Sequence, residues 1–118
     1  MGFRLTGSPL ARTSGADLLS HAVLPGTIQV PPNGQPIVLM ADAQTTGGYP
    51  KIGSVIRADL WKLAQVRLSA GVRFVEATPA AARAALEEER AYLRQIDAAI
   101  AMHDERYTSR RTSAAASA

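Results

Sequence analysis

A chain of 118 residues, 47% hydrophobic and 19% charged, can bury a modest core as one folded domain and is too apolar for a disordered chain. It has no cysteine, which excludes disulfides, thiolate metal sites and a thiol nucleophile. The net charge of +3 is scattered, a weak nucleic-acid signal that suits acidic partners and anionic ligands equally well, and no apolar run reaches the roughly 18 residues of a membrane span.

The N-terminal MGFRLTGSPLAR is polar and basic, lacks a signal-peptide core, and points to a cytoplasmic protein. Residues 3–5 read as a short extended segment. Gly7, Ser8 and Pro9 break it, and residues 12–16 read as loop. In TIQVP (27–31), Ile28 and Val30 alternate with Thr27 and Gln29, which is strand periodicity. PPNG (31–34) has the chemistry of a turn, because proline presets φ while Asn33 and Gly34 tolerate left-handed backbone. The continuous apolar run PIVLMA (36–41) then predicts a strand buried on both faces, central in a sheet or barrel.

QTTGGYP (44–50) follows, with Lys51 immediately after. One reading is a hairpin loop, in which Gly47 and Gly48 supply φ > 0 and Pro50 fixes the exit. The other is a binding site. There the glycine amides and the hydroxyls of Thr45 and Thr46 hold an oxyanion or carbonyl oxygen, Gln44 and Tyr49 add hydrogen-bonding groups, and Lys51 adds charge. Residues 51–58 favour another strand, with Ile52 and Ile56 on one face. A helical turn at residues 59–65 has Asp59 as N-cap and Trp61 as a core residue. After a turn at residues 69–71, residues 71–77 alternate as a further strand through Val72 and Phe74.

At Thr78 and Pro79 the composition changes. Thr78 is a good N-cap and Pro79 suits the first helical position, so residues 78–108 read as one long amphipathic helix, followed by a disordered tail at 109–118. Leu86, Leu93 and Ile100 recur every seven residues beside Ile96, and Glu87, Glu88 and Glu89 fall mainly on a solvated face. Roughly thirty helical residues span about 45 Å, more than a small β-body can cover, so the stripe predicts docking to another chain or to a missing segment, or self-association as a helical pair. His21 and His103 lie far apart without ligand-spaced carboxylates, so no metal site is expected. Ser20 and His21, although adjacent, do not by themselves make a catalytic pair. Gln29 and Asp42 read as strand-edge hydrogen-bonding groups.

The run GTIQVPPNGQPIVLMADAQTTGGYPKIG (26–53), with MGFRLTGSPLAR before it and ADLWKLAQVRLSAGVRFVEAT after it, resembles the C-terminal signature of the biotin-dependent carboxyltransferase-like family. Members of that family include the C subunits of bacterial 5-oxoprolinases, allophanate hydrolase subunit 2, KipA-type regulators and part of urea carboxylase. The resemblance covers roughly residues 1–100 and implies a mainly β (α+β) architecture. Residues 1–77 would form part of a cyclophilin-like β-barrel, followed by the long C-terminal helix. It implies a partial domain that works with two other proteins, one KipI-like and one LamB/YcsF-like, with ATP or carboxybiotin belonging to the complete assembly and no cofactor held by this chain. The activities it implies are ATP-dependent opening of 5-oxoproline to glutamate, carboxyl transfer to urea or a related amide, or non-enzymatic regulatory binding. It leaves the catalytic residues unassigned.

Overall fold

The computed structural model describes residues 2–13 and 18–116, with side chains to residue 106. Most of the loop expected at residues 12–16 lies outside the described residues. The chain divides into two compact units, Met1–Glu76 and Ala77–Ala118.

The first unit is built on an antiparallel sheet of four strands in the order β1-β4-β3-β6, where β1 is Gly2–Arg4, β3 Thr27–Gln29, β4 Ile37–Leu39 and β6 Lys51–Ser54. The PIVLMA run supplies β4, which pairs on both sides, and Val38 and Leu39 are buried as the apolar run requires. Phe3, Val38, Ile28 and Gly53 form one cross-strand row through the sheet, and Arg4, Ile37, Gln29 and Lys51 form the next. The core lies over the first row, where Ile28 and Val38 meet Leu63, with Phe3, Leu5, Met40, Val55 and Val66 packed around them. Leu63 comes from α1 (Leu60–Ala64), which follows a single 3-10 turn at Arg57–Asp59.

The PPNG turn closes as expected. The Gly34 amide donates to the Pro31 carbonyl at 3.0 Å, and Gly34 has φ +75°. Gln35 then does what no sequence pattern announced: its carboxamide accepts from the Gly7 amide at 3.0 Å and donates to the Gly7 carbonyl at 3.1 Å. With the Leu5 amide on the Pro36 carbonyl and the Leu10 amide on the Gly34 carbonyl, both at 2.9 Å, this carries the N-terminal segment alongside residues 34–36 beyond β1 itself.

Four expectations need correction. Thr27 and Gln29 are buried as deeply as Ile28 and Val30, so β3 is covered on both faces and Gln29, expected as a strand-edge hydrogen-bonding group, lies on a central strand. Strand β6 stops at Ser54 and every residue of it is exposed, Ile52 included, because among the described residues it pairs only with β3. Residues 71–77 form no strand. Their alternation fits a pleat, but among the described residues they have no sheet neighbour, and Val72, Phe74 and Val75 remain exposed. Trp61 is 52% exposed rather than core, since α1 turns Leu63 toward the sheet and Trp61 away from it. Asp59 does occupy the N-cap of α1 but makes no side-chain cap bond; its carboxylate instead accepts from Lys62 Nζ at 2.6 Å.

The second unit contains α2, Pro79–Ala116. Thr78 caps it as expected, with Oγ1 accepting from the Ala81 amide at 3.1 Å and its carbonyl from the Ala82 amide at 2.9 Å. The helix continues through residues 109–116, where the sequence reads as a disordered tail, in keeping with the high helix propensity of alanine. No helix of the described residues is long and apolar enough to cross a membrane.

Candidate functional site

The segment QTTGGYP does not join paired neighbours. Strands β4 and β6, which flank it, lie on opposite sides of β3, so the segment must cross over, and three backbone attachments guide it. The Val23 amide donates to the Thr45 carbonyl at 2.9 Å, Thr46–Gly47 (β5) pairs antiparallel with His21–Ala22 (β2), and the Val30 amide donates to the Pro50 carbonyl at 2.9 Å. The hairpin reading is therefore replaced by a crossing segment stitched to residues 21–23 and to β3.

Its glycines also act differently from the sequence expectation. Neither Gly47 nor Gly48 has positive φ. A Cβ on Gly47 would collide with Gln29 Nε2, and one on Gly48 would lie 3.1 Å from the Leu18 carbonyl oxygen. Absence of a side chain permits close approach, so that the segment settles onto the Gln29 carboxamide. Gln29 is 2% exposed, and its Nε2 has no hydrogen-bond acceptor among the described residues. A buried N–H pair without an acceptor costs about 1–3 kcal/mol, which makes it a feature to explain.

The side chains of Gln44, Thr45, Thr46, Tyr49 and Lys51 are exposed, while Gly47 and Gly48 are half-buried. The expected polar groups thus face solvent along one segment. His21, which sequence spacing set aside, is the register partner of Gly47, and Ser20 Oγ would lie 3.6 Å from a Cβ on Gly48. Pairing of residues 21–22 with 46–47 across more than twenty residues is what sequence adjacency could not reveal. Pro50 also borders a groove of about 250 Å³ between residues 10–13, Leu18, Val30 and Ile52, with Arg12 among its walls. Chemically, the surface offers hydroxyl, amide, imidazole and ammonium groups suited to oxygen-rich ligands. Among the described residues, no group of three or more His, Asp or Glu side chains is placed to hold a metal ion.

The helix residues Leu86, Leu93, Ile96 and Ile100 lie in the other unit. Leu86 is half-buried, and the other three are exposed.

Residues 1–76 match the family model described as carboxyltransferase domain, subdomain A and B, and the chain belongs to that family. Over 96 residues it is 51% identical to the C subunit of 5-oxoprolinase from Escherichia coli (strain K12), and 51% identical over the same length to that of Haemophilus influenzae. Each match takes in 81% of this chain but 31% of the relative, so the chain spans about a third of the length of the curated proteins it matches.

Proposed function

We propose that this chain is the C-terminal portion of a protein like the 5-oxoprolinase C subunit, acting in the cytoplasm as one wall of a multi-subunit hydrolase. The complete assembly, with a KipI-like protein and a LamB/YcsF-like protein as its other subunits, would couple ATP hydrolysis to opening of the 5-oxoproline ring, giving glutamate. The observation that carries this reading is the 51% identity over 96 residues to two proteins of that name. The exposed polar groups of residues 44–51 support a role in holding a carboxylate, carbamoyl or phosphate oxygen.

The chain alone has no activity in this reading. Combined with its cognate subunits it should restore 5-oxoproline-dependent phosphate release, which is absent when any one component is left out. Lys51→Ala and Thr46→Val should raise the KM for 5-oxoproline while leaving assembly intact. Absence of turnover from a verified complete assembly would sink the proposal.

The carboxyltransferase description of the matched family favours a second reading, transfer of a carboxyl group from carboxybiotin to urea or a related amide. Urea-dependent consumption of carboxybiotin by the assembly would select it. Stoichiometric binding of a KipI-like protein without any turnover would instead select a regulatory module.

A further inference from the structure

The exposed face of α2 has a heptad register. With Leu93 at position a, the a series is Leu86, Leu93 and Ile100, and the d series is Glu89, Ile96 and His103. Leu93, Ile96 and Ile100 are 56%, 39% and 57% exposed, so the centre of the stripe lies open. The e series beside it is Arg83, Arg90, Asp97 and Asp104, all exposed: two cations followed by two anions. The g series on the other flank is Ala85, Tyr92, Ala99 and Arg106, with a single charge at its end.

This charge order distinguishes between orientations. A parallel pair sets g against e of the other helix, bringing Tyr92 to Asp97, Ala99 to Asp104 and Ala85 to Arg90, with no ion pair. In an antiparallel pair e faces e. A two-fold axis passing between Leu93 and Ile96 then places Arg90 against the second copy's Asp97 and Arg83 against its Asp104, and symmetry repeats both pairs. The same axis sets Leu93 on the second copy's Ile96 at the centre. The outer layers join Leu86 to His103 and Ile100 to Glu89, polar positions that weaken the pair but fix its register. The present contact of Arg90 with Glu87, at 2.7 Å, is exposed on both sides and so offers little resistance to exchange.

We infer that α2 is a self-complementary interface, on which a second copy of this chain docks antiparallel about the Leu93–Ile96 layer. The intact chain should show a concentration-dependent monomer–dimer equilibrium by light scattering. The chain has no native cysteine, so one spin label at Ala84→Cys reports orientation. In the antiparallel pair residue 84 lies opposite residue 105, which separates the two labels by about 32 Å along the axis, whereas a parallel pair sets them side by side. Arg83→Glu with Arg90→Glu should weaken the dimer at least about tenfold, as should Asp97→Lys with Asp104→Lys, and mixing the two variants should restore it. All four positions are exposed, so circular dichroism should show unchanged helix in every variant. A chain that stays monomeric at its highest soluble concentration would overturn the inference, as would a short label distance or charge reversals without effect.

Discussion

Gln29 and Gly47 show how a single contact can organise a segment. The glycine gives up its side chain so that the crossing segment can rest on a buried carboxamide. Gly47→Ala should therefore lower stability to urea by about 1–3 kcal/mol through overpacking, and by clearly less in a Gln29→Ala background, where the colliding group is gone. Equal losses in both backgrounds would refute the contact. Gln29→Met keeps the volume and removes the unpartnered Nε2, so its urea midpoint should equal or exceed that of the parent chain. A loss above about 1 kcal/mol would reveal an acceptor for that amide in solution. The importance of the two glycines was legible in the sequence, but its cause was not. Positive φ is a local property that a dipeptide can announce, whereas the approach of Gln29 depends on a segment some eighteen residues away.

Elements whose signals are local were the ones sequence could specify. Thr78 and Pro79 start α2 because capping involves only the next few residues. Thr78→Ala should cost about 1 kcal/mol and speed amide exchange at residues 80–82 while leaving the middle of the helix protected. By contrast, residues 71–77 have strand alternation but pair with no strand among the described residues, and β6 is exposed at an edge of the sheet, because sheet neighbours are decided by topology. Trp61 was misplaced for a related reason: a five-residue helix has room for little more than one inward side chain, and Leu63 takes it. As the sole tryptophan, Trp61 should be readily quenched by iodide in the folded chain and should change emission little on unfolding. A blue-shifted, protected signal would mean that this face is covered.

Across the whole molecule, the family was legible because residues 26–53 combine several constraints that the structure explains one by one: a buried β3, the left-handed Gly34, the Gln35 clasp and the close approach at Gly47. The crossing of residues 44–50 was not legible, since β3 intervening between β4 and β6 leaves no mark in either strand. That order sets a ranking of local stability. Amides of β3 and β4, each paired on both sides, should exchange slowest, ahead of those of β1 and β6 at the edges. Faster exchange in β4 than in β6 would contradict it.

The place of β1 in this order has a consequence for the chain as it is made. Arg4 leaves the ribosome 33 residues before Ile37, its register partner, and at roughly 5–20 residues per second β1 waits about two to seven seconds for a strand to join. Strands β3 and β4, seven residues apart, meet almost as soon as both emerge. Strand β1 therefore joins a hairpin whose two strands are close neighbours in the chain, and Phe3 and Leu5 reach their places against Ile28 and Val38 only once β4 has been made.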